Sequence, residues 1–166
     1  MDFSHKNVLV VGVGISGNAV AKVAKMQGAD KVVLSDAKAE QDLKYDLTDV
    51  RAAGVELVFG PQENTLLDNV DMVILSPAVP VRIPLVQEAY KREIPVVSEV
   101  QVAYELAKSP ILAVTGTNGK TTITTVMKKV LSDFGCKTGL IGTCQNEIGD
   151  EILPTARTTP EPYDLF

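Results

Sequence analysis

The sequence is poor in the residues on which several function classes depend. It has two cysteines, Cys136 and Cys144, and no metal-ligand spacing surrounds them. Such a pair makes no disulfide framework and reads as two reduced thiols. Histidine occurs once, at His5, with neither a second histidine nor a cysteine nearby. A surface position is expected for it, not a metal site. Positive charge is in deficit: 16 Lys and Arg stand against 21 Asp and Glu, for a net charge of −5. Nucleic-acid binders lean the other way, because phosphate neutralisation dominates their affinity. Small anionic ligands stay compatible, since a few backbone N–H groups hold them without net positive charge. No apolar run approaches the length that spans a bilayer. The opening Met-Asp-Phe-Ser-His-Lys leads straight into a short apolar run broken by glycines, unlike a signal peptide. The expectation is a cytoplasmic chain with no membrane and no nucleic-acid partner.

What is present is an alternation of short β-like runs and helical patterns. Val8–Val11 is a continuous apolar run, as in a strand buried on both faces. A helix pattern with Val20, Val23, Ala24 and Gln27 on one side follows, ended by Gly28. Strands are expected over Lys31–Leu34, Val55–Phe59, Met72–Leu75 and Pro95–Val97, the last near a sheet edge. A helix is expected over Gln41–Ala53, closed by Gly54. Ser76–Pro84 is proline-rich loop, with Pro84 suited to the first turn of a helix running to Arg92. Ser98–Gln101 has the capping-box form, and Val100, Ala103, Tyr104 and Ala107 repeat at helical spacing. Lys108-Ser109-Pro110 reads as a linker.

Beyond it come an expected strand at Ile111–Val114, the loop TGTNGKTT, and a helix with Ile123, Val126, Met127, Val130, Leu131 and Phe134 on its apolar positions, capped by Gly135. Thr138–Ile141 suits one more strand. From Gly142 the periodicity fades into what reads as loop. The fold class is therefore α/β, with parallel sheets and helices on both faces. Residues 1–108 can form one small doubly wound domain. Residues 110–166 supply the beginning of a second and leave it incomplete.

Two glycine motifs carry the chemistry. Gly12-x-Gly14-x-x-Gly17 follows a strand and opens a helix. The first glycine permits the turn, the second lets phosphates approach the backbone, and the third lets helix and strand pack closely. Asp36 lies 19 residues beyond Gly17, at the end of the second strand, where an acid binds ribose hydroxyls in dinucleotide enzymes. The pattern alone is a weak signal; NAD, FAD and a nucleotide sugar all suit it. The second motif, Thr115–Thr122, ends in the Gly-Lys-Thr of phosphate loops. Lys120 would reach the β- and γ-phosphates of ATP and Thr121 would bind Mg²⁺. The strict spacing is not met, because the leading glycine is Gly116 and position 114 is Val114. Asn118 suits a left-handed turn. Lys128 and Lys129 are expected on a solvated helix face, and Thr124 and Thr125 in structural roles.

Five segments together resemble the Mur ligases: the glycine turn with Ser16, LSDAK ending the second strand, LSPAVP at Leu75–Pro80, VVSEVQVAYEL at Val96–Leu106, and AVTGTNGKTT. The resemblance covers essentially the whole chain. The TGTNGKTT form is highly specific to that superfamily, which also includes the folylpolyglutamate synthases. Over roughly the first 125 residues the chain resembles the branch that joins D-glutamate to UDP-N-acetylmuramoyl-L-alanine. The tail, GLIGT followed by IGDEILPTARTTPE, resembles the branch that adds the third amino acid. Ala78 stands where the family commonly has glycine, and Thr143-Cys144-Gln145 replaces Asn-Ile-Gly.

The resemblance implies a Rossmann-like uridine-nucleotide domain followed by the start of a P-loop central domain. It implies an ATP- and Mg²⁺-dependent amide ligase of peptidoglycan assembly, working through an acyl phosphate. By motif match, Gly14, Ile15, Ser16, Asp36, Ser76, Pro77, Thr158 and Thr159 would surround the UDP substrate. Gly116, Thr117, Asn118, Gly119, Lys120, Thr121 and Thr122 would bind ATP, with Lys120 and Thr121 catalytic and Thr121 on the metal. A second magnesium-binding acid, a modified lysine and a C-terminal domain of the family would lie beyond Phe166, so the chain alone is expected to be inactive. Self-association through the incomplete second domain is a further expectation. The alternatives are a non-catalytic UDP-sugar-binding module, a fragment of the third-residue ligase, and an NAD-dependent oxidoreductase, the last supported only by the first glycine motif and Asp36.

Overall fold

The computed structural model describes residues 1–142 and 146–153. The chain divides into two compact units, parting after Lys108. The first is built on a parallel sheet of five strands in the order β3-β2-β1-β4-β5. These are β1 (Asn7–Val11), β2 (Lys31–Asp36), β3 (Glu56–Phe59), β4 (Met72–Leu75) and β5 (Val96–Ser98). The three inner strands are almost wholly buried. That burial explains why they read as unbroken apolar runs instead of alternating ones. The expected edge position of the strand near Val97 is observed, as β5.

Helices supply the crossovers that parallel pairing demands. They are α1 (Ile15–Met26), α2 (Thr48–Ala52) and α3 (Pro84–Lys91), with only a 3-10 turn, Asn64–Leu67, between β3 and β4; α4 (Glu99–Leu106) follows the last strand. One apolar layer joins Val8, Val10, Val32, Leu34 and Ile74 to Val20, Ala21 and Ala24 of α1, Val50 of α2 and Val102 of α4. The opposite layer joins Leu9, Val11, Val73 and Leu75 to Leu85, Val86 and Ala89 of α3 and to Leu67. Each fully buried Leu or Ile contributes roughly 2 kcal/mol by transfer from water. Pro84 opens α3, and the Ser98 hydroxyl caps α4 by accepting from Gln101 N–H at 3.2 Å.

Two expectations for this unit are corrected. The helix anticipated over 41–53 is a short 3-10 turn, Glu40–Asp42, followed by α2 from Thr48. Asp46 accepts from both the backbone N–H and the hydroxyl of Thr48, at 2.9 and 2.7 Å. This local bonding competes with helix continuation and restarts it there. In α4 the stripe Val100–Tyr104 faces outward, each of the two being 65% exposed, while Val102 is buried and Leu106 packs on the core. The helix carries apolar residues on both sides, so periodicity could not choose between them.

The second unit holds α5 (Lys120–Asp133) and an antiparallel sheet of β6 (Gly139–Ile141), β7 (Asn146–Ile148) and β8 (Glu151–Leu153). Ile111–Val114 is not a strand, and Ile111 and Leu112 are exposed. A strand needs a neighbour to complete its hydrogen bonds, and among the described residues none pairs with this segment. The stretch after Gly142, read as loop, contains the β7–β8 hairpin instead. Its two-residue turn is Gly149-Asp150, with Gly149 at φ +59°. Gly-Asp is a hairpin signal that the fading helical period concealed. The tail prolines lie outside the described residues, as do Cys144, Thr158 and Thr159.

Candidate functional site

Strand order reverses between β1 and β4, because β2 and β3 lie on one side of β1 and β4 and β5 on the other. In open α/β sheets ligands bind outside the strand C-termini at such a switch point. Both candidate loops of the first unit end there. Gly12 follows β1 at φ +102°, and a Cβ placed on it would meet Val79 Cγ2 at 2.6 Å and Ser76 Cβ at 2.8 Å. A Cβ on Gly17 would lie 2.1 Å from the Gly12 carbonyl oxygen. The first and third glycines are thus required by turn shape and by close helix–strand packing.

Gly14 differs. It is extended, at φ −168°, and precedes the first residue of α1. A Cβ there would meet only Ser76 Oγ, at 3.9 Å. The space in front of it is open, as close approach of a phosphate to the backbone requires. Ile15 and Ser16 follow in the first helical turn, each partly buried. Ser76 is buried, donates its N–H to the Val11 carbonyl at 3.0 Å and accepts from Val79 N–H at 3.0 Å. Its hydroxyl therefore borders the glycine turn, whereas Pro77 is exposed. Asp36 ends β2 with both carboxylate oxygens on backbone N–H groups, those of Val13 and Lys38, at 2.8 and 2.9 Å. The structure brings Gly14, Ser76 and Asp36 around one turn.

Two features at this end of the sheet escape a reading of the sequence. Gln62 Nε2 donates to the buried Ser35 hydroxyl at 3.1 Å, tying the loop after β3 to β2. Glu99, in the first turn of α4, is only 4% exposed. It lines a cavity of about 390 Å³ with Leu75, Ser76, Pro77, Tyr90 and Ser98. An acid just after a serine cap ordinarily reads as a dipole-favouring surface residue, so nothing in the sequence marks it as buried.

In the second unit the loop before α5 turns on two left-handed glycines, Gly116 at φ +130° and Gly119 at φ +79°. No side chain crowds Gly116, and Ile123 Cδ1 is the sole neighbour of a Cβ on Gly119, at 3.9 Å. Their role is backbone conformation. Lys120 and Thr121 open a helix of 14 residues, so N–H groups and the positive dipole end face the loop. The Lys120 ammonium bends back onto the carbonyl oxygens of Gly116 and Thr117. Thr117, Asn118, Thr121 and Thr122 are exposed around it. This cradle suits a triphosphate: donors converge from the backbone, one lysine adds charge, and the Thr121 hydroxyl is available to a hard cation. Among the described residues no cluster of three His, Cys, Asp or Glu side chains could hold a metal alone.

Thr124 is structural, donating its hydroxyl to the carbonyls of Lys120 and Thr121. Lys128 corrects an expectation. Its side chain is 17% exposed and pairs with Glu147 of β7. The hairpin that the sequence reading missed is what covers it. Lys129 stays solvated, 77% exposed.

Each of the two loops lies within a segment that matches a known family. Residues 6–98 match the Mur ligase MurD-like N-terminal domain, and residues 114–166 match the Mur ligase middle domain. The UDP-N-acetylmuramoylalanine–D-glutamate ligase of Pelotomaculum thermopropionicum is 45% identical over 152 residues, 92% of this chain and 32% of that protein. The ligase of the same name from Alkaliphilus metalliredigens is 35% identical over 163 residues, 97% of this chain and 35% of that protein. The chain thus spans about a third of the length of these relatives. Among solved structures, a murein peptide ligase from Psychrobacter arcticus superposes with a TM-score of 0.54 at 24% identity, over 82% of this chain and 28% of that one. That likeness concerns the fold. With its MurD-like N-terminal domain and Mur ligase middle-domain sequence, the chain belongs to the Mur ligase family.

Proposed function

We propose that this chain carries the UDP-substrate domain and the ATP loop of a peptidoglycan-precursor ligase, which joins D-glutamate to UDP-N-acetylmuramoyl-L-alanine in the cytoplasm. The observation that supports it most is the TGTNGKTT loop, with Gly116 and Gly119 left-handed and Lys120 turned onto its carbonyls at the head of α5. In this reading Gly14, Ile15 and Ser16 present backbone N–H groups to the UDP diphosphate. Ser76 and Pro77 border the same cleft, and Asp36 supports its base and ribose side; Thr158 and Thr159, outside the described residues, are assigned to the same substrate by motif match alone.

ATP supplies the phosphoryl group that activates the substrate carboxylate, with Mg²⁺ sharing its charge. Gly116–Thr122 orient the triphosphate, and Lys120 places its ammonium against the charge that builds on the transferred group. Thr121 offers its hydroxyl to the cation.

Calorimetry tests the reading. UDP-N-acetylmuramoyl-L-alanine is expected to bind the chain, whereas absence of binding at millimolar ligand overturns the first site. In a phosphate-release assay with that substrate, D-glutamate and ATP, the chain alone is expected to turn over far more slowly than a full-length ligase. Ile123, Val126 and Val130 of α5 are exposed. Self-association through them is checked by sedimentation velocity across a concentration series.

A further inference from the structure

The place of Asp36 at the end of β2 suggests a ligand for ribose or base, yet its carboxylate is already engaged by the backbone. Oδ2 accepts from Val13 N–H at 2.8 Å and Oδ1 from Lys38 N–H at 2.9 Å. Its carbonyl oxygen accepts from Gly60 N–H at 3.0 Å. Three loops, those after β1, β2 and β3, therefore meet on one residue at the ligand end of the sheet. Val13 sits between Gly12 and Gly14 and is only 8% exposed. A turn with two glycines has much conformational freedom to lose. A charge-assisted hydrogen bond to the N–H between them restricts it strongly. Turning the carboxylate toward a ligand would leave a buried N–H without its partner, which is costly.

We infer that Asp36 is a positioning residue of the nucleotide site: it holds the Gly12–Gly14 turn in its phosphate-binding shape through Val13 N–H. Its influence on affinity then runs through the diphosphate as well as through the nucleoside. This rests on the nucleotide-binding reading of the first unit.

The test is a pair of NMR titrations, with UDP and with inorganic pyrophosphate, on the 166-residue chain and on its Asp36→Asn variant. Asparagine offers one acceptor oxygen, so one of the two N–H groups meets an NH₂. Pyrophosphate is expected to weaken roughly tenfold, the scale of losing one charge-assisted hydrogen bond, and UDP by at least as much. The Val13 amide should also exchange faster in the variant. Weakening toward UDP with pyrophosphate unchanged would overturn the inference, because the carboxylate then acts on the nucleoside. Pyrophosphate that leaves Gly14 and Ile15 unmoved in the unsubstituted chain would overturn it too. If the variant does not fold, the unsubstituted chain decides. Val13 should keep its exchange protection when UDP binds, and loss of that protection counts against the clamp. Absence of any UDP-induced shift in the unsubstituted chain overturns the nucleotide reading itself, and this inference with it.

Discussion

The two glycine turns of this chain look alike in sequence and differ in what surrounds them. Gly12 and Gly17 are hemmed in by Val79, Ser76 and the Gly12 carbonyl, so their missing side chains are a packing requirement. Gly116 and Gly119 stand in open space, and their need for glycine is conformational. The same contrast runs through the units that carry them. Among the described residues every buried apolar side chain lies between Phe3 and Val102, while α5 leaves Ile123, Val126 and Val130 about half exposed. One site therefore draws its rigidity from a core beneath it, and the other from the helix it caps. A glycine turn at a helix N-terminus can be specified either way.

Substitutions at the two kinds of glycine should separate them most sharply. Gly17→Ala sets a methyl against a backbone carbonyl that cannot move aside and is expected to cost more than about 4 kcal/mol, abolishing cooperative unfolding of the first unit. Gly119→Ala meets no obstruction and should cost only about 1–2 kcal/mol, from its left-handed backbone. Circular-dichroism melts of both variants check this, and equal losses would break the comparison. Next in size are the apolar residues. Leu34→Ala, at a fully buried position, should cost about 2–5 kcal/mol. Ile123→Ala should stay within about 0.5 kcal/mol, as an exposed site does. Urea midpoints read the difference.

Lys120→Ala should weaken ATP binding by at least about tenfold, or ~1.4 kcal/mol, while leaving the melting temperature unchanged. Calorimetry beside a melt tests whether loop chemistry and stability are separable in the second unit. The smallest effect concerns pH. The Arg92 hydrogen bond, aided by the nearby charges of Lys91 and Arg92, holds Glu88 below the usual glutamate value. A carboxylate whose value is depressed on folding stabilises above its unfolded value and loses that contribution as pH falls through the folded one. The pair lies at the surface, with the Glu88 side chain 24% and that of Arg92 36% exposed, so solvent screens it and the contribution is slight. Arg92→Ala should lower the urea midpoint a little at pH 7 and leave it almost unchanged near pH 3.

Sequence patterns were most informative where one physical demand governed a segment. Met72–Leu75 is apolar at every position because it is an inner strand, and its expected and observed bounds coincide. Ser98 and Gln101 announced the cap of α4 for the same reason, since the bond is local. Patterns misled where two demands competed. Asp46 bonds Thr48 and divides a segment whose leucines are spaced for one helix. In α4 the outward stripe and the buried stripe are both apolar. The β7–β8 hairpin was hidden because a Gly-Asp turn is a two-residue signal inside a stretch with no helical period.

From the sequence alone came the α/β class, the two glycine turns in order, and the family resemblance, because strand burial, glycine spacing and the Gly-Lys-Thr ending are all local properties. Only the tertiary structure decided how those residues are used. It set Ser76 against Gly12, buried Glu99 beside a cavity, covered Lys128 with Glu147, and engaged both oxygens of Asp36 with backbone N–H groups. Apart from the local bond between Asp36 and Lys38, these contacts join elements separated in the chain. No periodicity reports such a contact, since it depends on which strands become neighbours and on where their ends meet.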